Sequence, residues 1–288
     1  MRQFMISWFR DRFHPLWRLR QMRWFRRLAT LTDFPVTVRN GSFSQSVQWL
    51  RDIAYLLPHE YVEQKTARYF DAVLDGLKPS LFIDVGANVG SYTLRVLNRF
   101  PEIAVWLFEP DETNIRLLMR TISSNHLSKA TLHPIALGNS RRLAEFLVDG
   151  VSGSAGTFKD QRSNTSSLQN VYGLSKKRLV QLDTLDSFAD QMAGYRVLCK
   201  IDAEDCEGEV IEGAARILRE IRPFLIVESF DWRRLSPLLS FDYIIFDIEE
   251  GCNYLACPRE CQAALEAEWL PKHGLELLRG PFGSGPLS

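Results

Sequence analysis

At 288 residues the chain can bury one large core, or one domain with an appendage, and its 45% apolar and 24% charged residues are ordinary for a globular protein. The formal net charge of zero conceals a division: residues 1–30 hold eight arginines, no lysine and one acid, Asp11, so this arm carries +7 and the remainder −7. No apolar run of leader length follows the first charges, and no stretch approaches the ~20 apolar residues of a spanning helix, so the chain is expected not to cross a membrane.

Within the arm, Arg10, Arg18, Arg20, Arg23, Arg26 and Arg27 interleave with Trp8, Phe9, Phe13, Trp17, Trp24 and Phe25, and Pro15 divides the stretch into two short helices. Three readings stay open for it. It suits an interfacial helix on an anionic membrane, a grip on a phosphate-rich polymer, or a helix packed on the main domain with snorkelling arginines. The acidic body, which lacks an Asn/Asp-Pro-Pro-Tyr motif, argues against nucleic acid. Residues 34–58 predict a hairpin around Gly41 and then a helical stretch, with Pro58 closing an appendage of residues 1–58. The main domain is expected over residues 59–288.

A helix from His59, with Ala67, Phe70, Val73 and Leu74 on its apolar positions, leads through Lys78-Pro79 into a strand at 81–85. A helix at 91–99, a strand at 104–108 and a helix at 111–125 follow. The next strand, 131–137, ends at Gly138-Asn139, and residues 149–176, polar and rich in Ser, Gly and Asn, read as a mobile loop or lid. Then come a short strand at 179–182, a short helix at 184–189, a strand at 196–201 and a helix at 208–220. A strand at 224–228, a helical stretch to 240 and a strand at 241–248 complete the alternation, and the tail from about 275 predicts a last short strand. Alternating strands and helices predict an α/β fold with a doubly wound, mostly parallel sheet and helices on both faces. Cys199, Cys206, Cys252, Cys257 and Cys261 are odd in number and match no zinc or iron–sulfur spacing, so reduced thiols in a cytoplasmic protein are expected.

The stretch LFIDVGANVGSY, residues 81–92, organises the rest. An apolar strand breaks into a glycine turn and opens a helix, which makes a nucleotide-type ligand site at the carboxyl edge of a sheet. The spacing is G-x-N-x-G, with Asn88 where a pyrophosphate cradle wants a second glycine, so the turn suits a ligand bringing a ribose and an amino acid. The following strand, AVWLF, ends in Glu109-Pro110, and an acid at that tip chelates ribose hydroxyls. The second loaded stretch is KIDAEDCEGEVIEGA, 200–214. It delivers Lys200, Asp202, Glu204 and Glu207 to the same sheet edge, where perturbed ionisation is expected.

FIDVGANVGSYT with LFEPDETN, then LDTLDSF, then KIDAEDCEGEVIEGA with RPFLIVES, together spanning roughly residues 59–230, resemble the FkbM-type S-adenosylmethionine-dependent methyltransferases. The family's K-I-D-x-E-G-x-E is matched by Lys200, Asp202, Glu204 and Glu207, while Asp205 stands where glycine is usual. The resemblance implies the Rossmann-like seven-stranded methyltransferase sheet, with one antiparallel strand near its end and the small amino-terminal helical appendage outside it. It implies S-adenosyl-L-methionine as cofactor, with Asp84, Gly86, Asn88 and Gly90 at its methionine end and Glu109 on the ribose. Asn125 and His133 are expected towards the adenine. It further implies methylation of a hydroxyl, most often of a sugar in a glycan or lipid-linked saccharide. Tailoring of a polyketide or another secondary metabolite is the alternative acceptor class.

Methyl transfer to an alcohol needs alignment, exclusion of water and removal of a proton. Asp202 is the first candidate base, Glu204 and His133 are alternatives, and Lys200 could orient a carboxylate or an alkoxide. A divalent metal held by Asp202, Glu204 and Glu228 is conceivable, although nothing in the spacing demands it. Two competing classes remain. A nicotinamide dehydrogenase shares the opening but not the missing glycine. A non-catalytic, membrane-associated module would use the arginine-rich arm and carry a damaged cofactor turn.

Overall fold

The computed structural model describes residues 22–52, 64–149, 156–158, 175–203, 205–248 and 252–276. Helix α1 (Arg23–Thr32) leads into a hairpin of β1 (Pro35–Asn40) and β2 (Phe43–Gln48). The main alternation follows: α2 (Gln64–Leu77), β3 (Leu81–Val85), α3 (Ser91–Arg99), β4 (Ala104–Phe108), α4 (Glu112–Ser124) and β5 (Ala130–His133). Next come β6 (Ala136–Leu137), β7 (Arg142–Asp149), β8 (Gly156–Phe158) and β9 (Ser175–Asp183). The last part holds β10 (Val197–Ile201), short helices α5 (Glu207–Glu212) and α6 (Ala215–Glu220), β11 (Phe224–Glu228), a 3₁₀ helix at Trp232–Phe241, β12 (Tyr243–Asp247) and β13 (Asn253–Pro258).

Seven strands form one sheet in the order β12-β13-β11-β10-β3-β4-β5, in which β13 alone runs antiparallel to its neighbours. This is the expected mostly parallel sheet with a single reversed strand near one end. β3 is central and buried on both faces, so its near-continuous apolar run carries no alternation. One face packs Phe82, Leu198 and Ile226 against α2, α3 and the helical residues Leu265 and Leu270. The other packs Leu81, Ile83, Val85, Cys199 and Ile201 against α5, α6 and the short helical segment at 185–192. The five cysteines are free thiols, three of them buried.

Four expected elements differ. The strand at 131–137 divides at Pro134, which has no N–H for a ladder. β5 stays in the main sheet, while β6 leaves to pair with β9 in a second, four-stranded sheet ordered β6-β9-β7-β8. The lid expected over 149–176 contains β8, and β7 and β9 reach to Asp149 and back from Ser175; the rest of that segment lies outside the described residues. The helix at 208–220 is interrupted at Gly213, where an added Cβ would lie 1.9 Å from the carbonyl oxygen of Gly138. Finally, the reversed strand is β13 (Asn253–Pro258), where no strand was expected, and most of the tail from about 275 lies outside the described residues. β13 lies between β11 and β12, and Arg259–Lys272 is a helical run. Residues 277–288, and the arm before Met22 with its expected break at Pro15, lie outside the described residues, as do residues 53–63 around Pro58. No helix among the described residues is long and apolar enough to cross a membrane.

Candidate active site

The glycine turn alternates left-handed residues: Gly86, Asn88 and Gly90 take φ of 74°, 52° and 80°. Gly86 has a second constraint, since a Cβ there would stand 1.9 Å from the backbone oxygen of Asp202. The turn is tied to the next strand, because the Gly86 and Ala87 N–H groups donate to the Phe108 carbonyl. Gly90 then opens α3. Asn88 tolerates the left-handed region better than most side chains, and its own N–H donates to Glu109 Oε2 at 2.8 Å.

Pleating explains what stands beside the turn. Asp84 and Lys200 are register partners on β3 and β10, and both point to the face shared by Phe82 and Leu198, towards α2 and α3. Lys200 is 3% exposed; its Nζ donates to Asp202 Oδ2 at 2.8 Å and lies 4.7 Å from the centre of the Tyr92 ring. Asp84 is 2% exposed and accepts from Thr93 Oγ1 at 2.7 Å. Burial pushes its carboxyl above the usual range, against the pull of the Lys200 ammonium and the Thr93 hydroxyl. Two carboxylates around one buried ammonium, on the aromatic face of Tyr92, therefore form a compact charged cluster.

A cavity of about 400 Å³ opens on this cluster, a size suited to a small-molecule ligand. Asp84, Gly86, Asn88, Lys200 and Asp202 form its inner wall, and Asn40, Asp71, Arg95 and Asn98 belong to its outer wall. The hairpin reaches the site through Gln45, whose Nε2 donates to the Val89 carbonyl at 3.0 Å and to Ser91 Oγ at 2.9 Å. Tyr92, Thr93, Gln45 and the Arg95–Asp71 ion pair at 2.7 Å were not singled out from the sequence. Thr93 does fall within the stretch FIDVGANVGSYT, nine residues after Asp84 in the first turn of α3.

Five of the ten candidate residues thus line the cavity. Glu109 lies just behind them, 5% exposed: its two oxygens accept from the N–H groups of Asn88 and Asp111, both at 2.8 Å. Burial raises its pKa to about 8, although those N–H groups and the Asn114 side chain pull the other way. Glu204 lies outside the described residues. Asp205, where glycine was the expected residue, takes a φ of 76° and pairs with Arg234 at 3.1 Å. Its neighbour Glu207 is buried, its Oε1 accepting from the Asp205 N–H, and burial raises its pKa to about 7.

Two candidates lie away from the charged cluster. His133 is not beside the charged cluster. It is in register with Phe108, and its ring stacks on Phe108 at 4.6 Å and meets Phe188 edge-on, on the opposite face of the sheet. Three strand spacings, about 14 Å, separate β5 from β10. Desolvation lowers its pKa, and its Nε2 is buried without a hydrogen-bond partner among the described residues. Asn125 is a structural clamp. Its Oδ1 accepts from the Ser44 N–H, and its Nδ2 donates to the carbonyls of Ser44 and Thr121, fastening β2 to α4.

The Methyltransferase FkbM domain model matches residues 84–254, which runs from the acid of the glycine turn into β13. The chain belongs to the FkbM methyltransferase family. A curated relative, "Methyltransferase 1" of Beauveria bassiana, is 24% identical over 144 residues, covering 46% of this chain. The chain spans 58% of that relative's length. Solved structures that resemble it include precorrin-6y C5,15-methyltransferase from Geobacter metallireducens (12% identity, 65% of this chain and 84% of that one, TM-score 0.33). A methyltransferase from Geobacter sulfurreducens matches with 15% identity, 68% and 79% coverage and a TM-score of 0.37.

The methyl donor of FkbM methyltransferases is S-adenosylmethionine. The residues present fit such a group. Asn88 Oδ1 is a buried acceptor on the cavity wall with no hydrogen-bond partner among the described residues, so a ligand donor would satisfy it.

Proposed function

We propose that this FkbM protein is an S-adenosylmethionine-dependent O-methyltransferase whose acceptor is a sugar hydroxyl in a glycan or lipid-linked saccharide. The observation that carries this reading is the Lys200–Asp202 pair, 2.8 Å long, on the cavity's inner wall against the glycine turn. When bound, the cofactor supplies a methyl group already activated on a sulfonium sulfur. The chain's own residues hold, orient and deprotonate. Gly86 and Asn88 line the donor's end of the cavity, and Glu109 braces the turn behind them through the Asn88 N–H. Lys200 fixes one oxygen of Asp202 and leaves the other to accept the acceptor's hydroxyl proton. An alcohol near pKa 15 gains about 10²–10⁴-fold from such a base. The outer wall is polar, lined by Asn40, Asp71, Arg95 and Asn98 in bonds within the protein, and that polarity supports a hydroxyl-rich acceptor over an apolar metabolite.

The test has two parts. Calorimetry with S-adenosylmethionine and its demethylated product is expected to show micromolar binding. With the fold intact, binding of neither removes the methyltransferase reading. Transfer of labelled methyl to a panel of saccharides and polyketide alcohols then identifies the acceptor class. Asp202→Asn is expected to bind cofactor almost as well as wild type yet turn over at least ~100-fold more slowly. Near-normal turnover would remove Asp202 from the chemistry.

A further inference from the structure

Large apolar side chains facing solvent concentrate at the amino-terminal end of the described residues. In α1, Trp24, Leu28 and Leu31 are 57%, 43% and 82% exposed, and their spacings of four and three put them in one stripe. Arg27 is exposed beside that stripe. The helix, RWFRRLATLT, holds three arginines and no acid. Just beyond it Phe34 and Trp49, also exposed, stack with ring centres 6.4 Å apart. Asp33 and Asp52, at the base of the hairpin, are engaged inwards: Asp33 accepts the N–H groups of Leu50 and Arg51, and Asp52 pairs with the buried Arg51 guanidinium.

A monomer in water has little reason to keep a cationic helix with its apolar stripe outward. We propose that this face docks on an anionic lipid bilayer, with α1 lying in the interfacial plane. Tryptophan and leucine enter the boundary between headgroups and acyl chains, while arginine remains with the phosphates. The charge favours this occupant: residues 1–30 carry +7, and basic residues are drawn to an anionic leaflet. A neutral protein groove would match the stripe but leave that charge unanswered. Docking would also place the cavity at the membrane, because the hairpin that follows α1 is bonded to the glycine turn through Gln45.

The full chain is tested by co-sedimentation with vesicles of phosphatidylcholine alone or mixed with phosphatidylserine. Wild type is expected to bind the mixed vesicles, to be released by high salt, and to ignore the neutral ones. Leu31→Glu and, separately, Trp24→Glu are expected to lower the partition at least about tenfold while leaving the thermal melt unchanged. Leu143→Glu, an exposed change on β7, is expected to bind as wild type does. Equal binding to both vesicle types overturns the proposal, as does undiminished binding by Leu31→Glu. It is also overturned if both α1 variants unfold, since the stripe would then belong to the core. The same holds if they convert a dimer to a monomer without wild type ever binding vesicles. In that case the occupant is the acidic body of a second copy.

Discussion

Replacing Glu109 by glutamine isolates the energetic consequence of burying an acid behind the glycine turn. In the unfolded chain this carboxyl titrates near 4.5, and in the folded one at about 8. Below the lower value both states hold the proton and there is no cost. As pH rises from there, the unfolded chain ionises while the folded chain does not, so folding retains an extra proton. Stability then falls by up to about 1.4 kcal/mol per pH unit. Above the upper value the loss is complete, at about 5 kcal/mol, and stays constant. Between about pH 5 and about pH 8 wild type should therefore lose about 3–4 kcal/mol from this group alone.

Glutamine cannot titrate. It also turns an amide donor towards the N–H of Asn88 or of Asp111, a conflict worth about 1–3 kcal/mol at any pH. The variant should thus be the less stable protein near pH 5 and lose that disadvantage, or reverse it, near pH 8. Urea unfolding of both proteins across that range measures the difference, and groups such as Glu207 that titrate in both cancel in it. A difference constant to within about 1 kcal/mol would refute the reasoning, because the carboxyl would then ionise normally despite its burial.

Gly86→Ala should cost about 2–5 kcal/mol, combining a left-handed alanine with a Cβ 1.9 Å from the Asp202 oxygen, and should abolish cofactor binding measured by calorimetry. A variant with wild-type stability and affinity would mean that the turn and the tip of β10 move apart at no cost. Asp205→Gly should be more stable than Asp205→Ala by about 1 kcal/mol in chemical denaturation. Both lose the ion pair with Arg234, and only the alanine keeps the strained φ of 76°.

Local order was legible where the signal is local. The run Leu81–Val85 was a buried strand because no alternation interrupts it, and the turn after it was readable because positive φ leaves a mark in residue type. The same logic accounts for Asp205. The family's usual glycine marks a left-handed position, and this chain meets it with an aspartate paired to Arg234. The clamp made by Asn125 was not legible because its partner Ser44 is 81 residues away, and no periodicity near either residue announces the bond. For His133 the resemblance pointed to the adenine side, and no strand reading could say on which face its ring lies. Its face is decided by its pairing opposite Phe108, which puts its ring among aromatics and away from Lys200. β13 was missed because Asn253–Pro258 mixes polar, small and apolar residues without alternation, and its burial comes from lying between β11 and β12.

The amino-terminal hairpin shows why the limits of the site escaped the sequence while its centre did not. The inner wall is made by the tips of β3 and β10, adjacent parallel strands whose carboxyl ends must meet. Any chain with these two motifs brings Asp84, Lys200 and Asp202 together. The outer wall has no such necessity. Asn40 and Gly41 reach it because Asn98 Oδ1 accepts the Ser42 N–H and Asn98 Nδ2 donates to the Asn40 carbonyl. Arg51, at the hairpin's base, is buried against Asn114 and lies 3.6 Å from Asp111, the cap of α4 that also donates its N–H to Glu109. These contacts join an appended strand pair to the tip of β4 through side chains far apart in the chain. Each is a pairwise choice that a relative could make differently without losing the fold. Chemistry shared across a family therefore belongs at the strand tips. On the proposed reading the acceptor is met on the hairpin side, where Asn40, Gly41 and Asn98 line the cavity.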